Sequence, residues 1–171
     1  MSISAPAPAW VALGTNLGDR RATLARALTW LASLPETTLE ASSSFYRTPP
    51  LALGRSTQPD FLNAVARLRT SLPPRRLLAA LQSLEHAAGR TRTIIWGPRT
   101  LDLDLLLMGD RVLTDGDLTL PHPRLLERAF VLVPLAAIDP ELVHPLSGRT
   151  IAAHLAALPR DEASCVMAEL L

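Results

Sequence analysis

The order in which two apolar periods follow one another constrains the fold of this chain more than any other feature. Apolar residues three or four positions apart, as in an amphipathic helix, occupy residues 21–35 and 72–89. Short apolar or alternating runs, typical of strands, occupy residues 9–20, 37–48, 61–70 and 99–110. The predicted order is therefore strand, helix, strand, strand, helix, strand.

That order is typical of an α+β fold, a ferredoxin-like sandwich in which helices pack on an antiparallel sheet. Beyond the last strand the pattern predicts a hairpin near Val112–Leu120 and two short helices, near Leu125–Leu135 and Thr150–Leu158. These form a C-terminal helical extension. The length of 171 residues suits one domain over residues 1–171, with a flexible start at 1–8.

Composition excludes several classes of function. All 17 basic residues are arginine, so Schiff-base lysine chemistry and a Walker-type phosphate loop are excluded. A formal net charge of +1 gives no reason to expect nucleic-acid or membrane binding. The single cysteine, Cys165, permits no internal disulfide, and no apolar run is long enough for a membrane helix. We therefore expect a cytoplasmic protein.

Two aspartates interrupt the most apolar strand. Side chains two residues apart in a strand face the same way, so Asp102 and Asp104 lie side by side, and Leu101, Leu103 and Leu105 face the opposite layer. The following leucines leave the strand little polar face, which predicts a central strand.

A carboxylate pair of this kind has two explanations. Unpaired carboxylates at this separation repel each other, and a hard cation such as Mg²⁺ relieves the repulsion, with water and phosphate oxygens completing its shell. Alternatively, Arg99 and another arginine pair with the aspartates in a buried salt-bridge cluster. The spacing alone slightly favours the salt bridges, whereas Trp96 and Arg99 just before the strand favour a site for phosphoryl transfer.

Four segments together resemble a known family. They are SSFYRTPP, QPDFLNA, WGPRTLDLDLLL and LPHPRLLERAFVLVPL, at residues 43–50, 58–64, 96–107 and 120–135. In this order they resemble the 6-hydroxymethyl-7,8-dihydropterin pyrophosphokinases of folate synthesis, over about Val11–Leu158. The resemblance implies a ferredoxin-like fold and transfer of the β,γ-diphosphate of ATP to the hydroxymethyl oxygen of the pterin, with release of AMP.

The resemblance also implies roles for particular residues. Two Mg²⁺ ions would be held by Asp102 and Asp104, and these two residues would be catalytic together with Arg90 and Arg99. The implied ATP-binding residues are Gln82, Glu85, Arg92, Trp96, Arg99, Leu105, Thr119, His122 and Arg128. The implied pterin-binding residues are Thr48, Pro49, Leu51, Phe61, Asn63, Trp96, Asp102 and Phe130.

Some of these positions also have independent support. Phe61 and Asn63 share one face of their strand, and a buried amide beside an aromatic ring suits the polar edge of a flat heterocycle. Two other functions stay open at this point: a metal-dependent nucleotidyltransferase, and a ferredoxin-like paralogue that binds pterin without turning it over. For the leading hypothesis we expect a monomer that acts on small molecules, ATP and the hydroxymethyl-dihydropterin, and binds neither nucleic acid nor membrane.

Overall fold

The computed structural model describes residues 5–50, 58–89 and 100–169. The strands are β1 (Ala7–Thr15), β2 (Thr37–Ser42), β3 (Tyr46–Thr48), β4 (Phe61–Thr70), β5 (Asp102–Met108), β6 (Leu113–Asp115), β7 (Leu118–Leu120) and β8 (Met167–Ala168). The helices are α1 (Arg20–Ala32), α2 (Pro74–Ala87), α3 (Ala129–Ile138), α4 (Ile151–Ala157) and α5 (Arg160–Ser164), with a short 3₁₀ helix at Leu125–Glu127. β1 thus begins inside the stretch that the sequence predicts to be flexible.

One six-stranded sheet organises the chain. Its order is β5-β1-β4-β3-β8, with β2 also paired to β4, and all of its pairings are antiparallel. The predicted hairpin is present as β6 and β7, which form a separate two-stranded sheet. The predicted α+β fold, with helices on an antiparallel sheet and a helical C-terminal extension, is confirmed.

Helices cover both faces of the sheet. One face carries the larger apolar cluster, in which Leu24 and Leu31 of α1 and Leu77 and Leu81 of α2 are fully buried. The other face carries a smaller cluster that includes Trp10, Val65 and residues of α3. The C-terminal helices therefore provide a second layer that the six-element order by itself does not specify.

The prediction that β5 is a central strand is wrong, because β5 lies at the edge of the sheet and, among the described strands, pairs only with β1. Its leucines are nevertheless buried, since a register shift opposite Trp10 and Val11 distributes them over both faces. Leu105 packs in the cluster under α1 and α2, whereas Leu106 and Leu107 pack against α3. An apolar run thus reports burial on both faces and not the position of the strand within the sheet.

The single strand predicted over 37–48 is divided into β2 and β3. Ser42 lies opposite Ala66 and Tyr46 opposite Asn63, so three residues of this segment face two residues of β4. Ser43 bridges the irregularity: its hydroxyl accepts the Val65 N–H at 3.0 Å, and its own N–H donates to the Val65 carbonyl at 2.9 Å. Such a bulge changes the direction of the strand, and Ser43 keeps both the N–H and the carbonyl of Val65 hydrogen-bonded there.

The segment predicted as one helix near Leu125–Leu135 also has a break. Arg128 is extended, with φ −115° and ψ 102°, between the 3₁₀ turn and α3. The small strand β8 was not predicted; it pairs with β3 at the edge opposite β5. No helix in the described part of the chain is long and apolar enough to cross a membrane.

Candidate active site

The carboxylate pair lies on the sheet face that α3 covers only in part. Leu101, Leu103 and Leu105 are buried in the opposite layer, as predicted, and Asp102 and Asp104 are half-buried. Two residues apart on one strand, they present both carboxyl groups to the same side.

Strand register brings this pair onto the same face as the predicted heterocycle residues. Asp102 lies opposite Gly14 of β1, and Gly14 lies opposite Asn63 of β4. Phe61, two residues before Asn63 on β4, shares its face and lies opposite Thr48 of β3. Directly opposed residues of antiparallel strands project to one face. Two segments far apart in the sequence therefore meet on a single surface.

Asn63 is buried and its amide is oriented by two neighbours. Its Nδ2 donates to the Thr48 hydroxyl at 2.8 Å. Its Oδ1 lies over Gly14, where a Cβ atom would come within 2.9 Å of it. Glycine between Asp102 and Asn63 therefore leaves the space that the amide occupies. Sequence reasoning missed Gly14, although an isolated glycine inside a strand is itself a signal of close approach.

The break before α3 places a cation beside the carboxylates. Arg128 Nη1 lies 3.6 Å from Asp104 Oδ2, and the guanidinium lies over the ring of Phe130, 5.7 Å from its centroid. The Arg128 side chain is 18 % exposed and that of Asp104 is 32 % exposed. The salt-bridge explanation is thus realised for Asp104, but at a partly solvated position.

A cavity of about 310 Å³ lies along the outer edge of β5. Its walls are α2, β5, the β6–β7 hairpin and the segment after it. The lining residues are Leu78, Gln82, Glu85, Asp102, Leu103, Asp104, Leu105, Asp117, Leu118, Thr119, His122 and Pro123. Five of the residues predicted to bind ATP therefore surround one cavity together with both aspartates.

Glu85 takes part in the packing of α2 as well as in the cavity wall. It lies on the buried face of the helix with Leu77 and Leu81, at a spacing of four residues. Its carboxylate accepts the N–H of Leu103 at 2.8 Å. A buried charge needs such a donor. Glu85 thus attaches α2 to the edge strand beside the aspartates.

His122 lines the cavity, and its backbone and its ring each take part in a hydrogen bond. Its N–H donates to the Leu106 carbonyl at 2.8 Å, and its Nδ1 accepts the Arg124 N–H at 3.2 Å. Burial, reinforced by the positive charge of Arg128, lowers the pKa of His122 below its ordinary value. The neutral ring is therefore favoured, with Nε2 carrying the proton.

The donor set suits a hard cation that also binds phosphate. Within 5–50, 58–89 and 100–169, no group of three or more His, Cys, Asp or Glu side chains could hold a metal ion. Two carboxylates that line an open cavity match Mg²⁺, which keeps several water or phosphate ligands.

The remaining predicted positions fall into two groups. Pro49 follows β3 and is exposed. Leu51, Arg90, Arg92, Trp96 and Arg99 lie outside the described residues.

Residues 10–140 match the model of the 7,8-dihydro-6-hydroxymethylpterin-pyrophosphokinase (HPPK) family, which is more than half of the chain. The chain belongs to this family. A relative in Pseudomonas aeruginosa, a 2-amino-4-hydroxy-6-hydroxymethyldihydropteridine pyrophosphokinase, is 48% identical over 150 residues, which are 88% of this chain and 91% of the relative. A protein of the same name in Haemophilus influenzae is 45% identical over 139 residues, covering 81% of this chain and 86% of the relative. Membership confirms the resemblance and the predicted enzyme class, a pyrophosphokinase.

Solved structures support the fold. The HPPK-DHPS of Plasmodium falciparum in its wild-type form with pterin and p-hydroxybenzoate superposes with a TM-score of 0.71 at 14% identity. The match covers 91% of this chain and 44% of that one, so the chain spans less than half of the solved protein. At this identity the likeness is one of fold, and it agrees with the antiparallel sheet and helical layers that the family's pyrophosphokinase domain uses.

Proposed function

We propose that this chain transfers the β,γ-diphosphate of ATP to the hydroxymethyl oxygen of 6-hydroxymethyl-7,8-dihydropterin and releases AMP. Membership of the family makes the chain an ATP-dependent pyrophosphokinase of folate biosynthesis. The observation that supports the residue assignment is the strand register, which places Asp102 and Asp104 on the same sheet face as Phe61 and Asn63. Donor and acceptor groups can thus meet over Gly14.

In this proposal the two substrates approach from different sides. The cavity beside β5 takes the nucleotide, with Gln82, Leu105 and Thr119 in its walls. Phe61 and Phe130 stack on the pterin ring, and Asn63, held by Thr48, presents its amide to the polar edge of the ring. An oriented amide selects a heterocycle by hydrogen bonding without introducing a buried charge.

The charged groups hold the reacting phosphates. Asp102 and Asp104 would bind two Mg²⁺ ions, which neutralise phosphate charge and lower the pKa of the attacking hydroxyl when bound. Arg128 keeps a guanidinium beside Asp104, where it can pair with phosphate oxygens as the diphosphate moves. His122, with a neutral ring, can donate from Nε2 to a phosphate oxygen. Positioning and neutralisation of charge are the main requirements of phosphoryl transfer.

The deciding experiment separates three reactions by their nucleotide products. The protein is incubated with ATP, Mg²⁺ and 6-hydroxymethyl-7,8-dihydropterin, and the nucleotides are resolved by chromatography. We expect AMP in equal amount to diphosphorylated pterin. ADP would contradict the proposal, and release of inorganic diphosphate with AMP on the acceptor would identify a nucleotidyltransferase. Pterin binding without nucleotide turnover would identify a non-catalytic paralogue.

We also propose that residues 1–171 act as one domain in a cytoplasmic monomer, with small molecules as its only substrates. The near-zero net charge and single cysteine support this proposal. Few large apolar side chains of the described residues are exposed to solvent; they are Leu17, Val112, Val143, Leu146 and Met167. Light scattering at micromolar concentration tests it, because a dimer mass would contradict it.

A further inference from the structure

The β6–β7 hairpin forms one wall of the cavity, and an arginine contacts its turn. Asp117, Leu118 and Thr119 of the hairpin line the cavity. The hairpin is not part of the main sheet, since β6 and β7 pair only with each other among the described strands. Its position therefore depends on side-chain contacts: Leu118 and Leu120 are buried in the larger apolar cluster, and the turn is attached to α2.

Arg75, in the first turn of α2, makes three contacts with the hairpin turn. Its Nε donates to Asp115 Oδ2 at 2.9 Å, its Nη1 to Asp117 Oδ1, and its Nη2 to the Asp115 carbonyl. Gln82, two turns further along the same helix, donates to Asp117 Oδ2 at 3.4 Å. The planar guanidinium fork suits this multiple attachment in a way that an ammonium group does not.

The turn itself is shaped around the guanidinium. Asp115 pairs with Leu118, which leaves Gly116 and Asp117 as a two-residue loop. Gly116 has φ +60°, a conformation that favours glycine. A Cβ atom there would come within 2.7 Å of Arg75 Nη2. Glycine thus permits both the turn and the close approach of the arginine.

The contact with Arg75 determines the charge that the hairpin presents to a ligand in the cavity. Hydrogen bonds from Arg75 lower the pKa of Asp115 and of Asp117, so both carboxyl groups are ionised at neutral pH. Asp117 lines the cavity that, under the proposed function, takes the strongly anionic ATP. Without a neutralising partner, Asp117 would repel the triphosphate.

We propose that Arg75 is a positioning residue for ATP, which holds the hairpin against α2 and neutralises its two carboxylates at the wall of the nucleotide cavity. The inference rests on the proposed function. Arg75, Asp115 and Asp117 are exposed, and exposed ion pairs contribute little to the free energy of unfolding. The role of Arg75 is therefore in ATP affinity and not in the stability of the fold.

The test compares steady-state kinetics of variants for both substrates. In Arg75→Gln we expect the KM for ATP to rise about five- to tenfold, while kcat and the KM for the pterin stay within about twofold. Arg75→Lys keeps the positive charge but not the planar guanidinium fork, so its KM for ATP should lie between that of wild type and that of Arg75→Gln. The triple variant Arg75→Gln, Asp115→Asn, Asp117→Asn removes the repulsion, and we expect it to return the KM for ATP to within about threefold of wild type.

Arg69→Gln is the matched control. Arg69 is an exposed arginine paired with a carboxylate, Glu40 at 2.5 Å, on strands that do not line the cavity. Its KM values should equal those of wild type. The inference is overturned by an unchanged KM for ATP in Arg75→Gln, by an equal rise in both KM values, or by no recovery in the triple variant. A wild-type protein that forms no AMP overturns the proposed function instead.

Discussion

The two halves of the candidate site differ in where they lie on the sheet. Asp102 and Asp104 are on the edge strand β5, half-buried and beside an open cavity. Asn63 is on β4, inside the sheet, buried and hydrogen-bonded to Thr48. Ionised groups need water, cations or counter-charges, which an edge provides, whereas a neutral amide is satisfied by one or two hydrogen bonds in the interior. The charged groups of the site therefore lie at the solvated edge of the sheet, and the neutral amide lies in its interior.

The largest effect on activity should come from substitutions of the two aspartates on the edge strand β5. Asp102→Asn and Asp104→Asn each remove the charge of a proposed metal ligand, and we expect kcat/KM to fall by at least about 10²-fold in each variant. Steady-state AMP formation measures this. Asp110→Asn is the control, because Asp110 is an exposed aspartate just past the end of the same strand. Near wild-type turnover in either variant would favour the salt-bridge explanation.

Substitution of Asn63, in the interior half of the site, should change the affinity for the pterin rather than the rate of diphosphate transfer. In Asn63→Leu the amide is replaced by an apolar group of similar size, and we expect the Kd for the pterin to rise about 10- to 100-fold. The Kd for ATP should stay within about twofold. Calorimetric titration with each ligand measures both constants.

Thr70→Val serves as the control for that variant. Thr70 is a buried polar residue at the far end of β4, where its hydroxyl contacts that of Thr37 at 2.8 Å. The substitution should reduce the free energy of unfolding without changing the Kd for the pterin. A rise in both ligand constants in Asn63→Leu would show a general disturbance of the sheet and would contradict a local role.

The glycine between the two halves tests whether they form one surface. In Gly14→Ala the new Cβ meets the Asn63 amide oxygen, so we expect the KM for the pterin to rise about three- to tenfold and stability to fall by about 1–3 kcal/mol. The double variant Gly14→Ala, Asn63→Ala removes the clash, and the alanine at position 14 should then add little. Independent, additive effects would exclude the contact between these two residues.

The smallest effect concerns His122. Burial and Arg128 lower its pKa in the folded protein, whereas the unfolded chain has the ordinary value near 6.5. Protonation therefore favours unfolding. The contribution of the neutral His122 ring to the free energy of unfolding is complete above about pH 6.5, and it is lost as the pH falls towards the lowered pKa. NMR titration in the absence of ligands should give a midpoint below 6.5, with His122→Gln used to assign the signal. A midpoint above 6.5 would contradict the buried neutral ring.

Local patterns were sufficient for the elements that carry the chemistry. The alternation through Asp102 and Asp104 predicted a strand with both carboxyl groups on one side, and the structure has them there. The apolar spacing over residues 72–89 predicted α2, but it gave no indication that Glu85, on the buried face of that helix, accepts the Leu103 N–H. The partner of a buried polar group lies elsewhere in the sequence, so local periodicity cannot identify it.

Errors arose where tertiary contacts override local patterns. The leucines of β5 suggested a central strand, yet helices on both faces bury them at the edge. The segment after His122 suggested one helix, yet it breaks at Arg128, and that break brings the guanidinium to Asp104. The contact between Arg75 and the hairpin could not be predicted from local patterns either, because exposed arginines and aspartates are common on any protein surface.

The sequence by itself determined the order of the elements, the pairing of the two carboxylates on one face and, through four motifs, the family. These depend on backbone periodicity and residue chemistry, which are local. Only the tertiary structure decided that Asn63 and Asp102 share a row across Gly14, that a cavity lies along β5, and that Arg75 reaches the hairpin. Those contacts join residues tens of positions apart, and their geometry follows from strand register and helix packing over the whole domain.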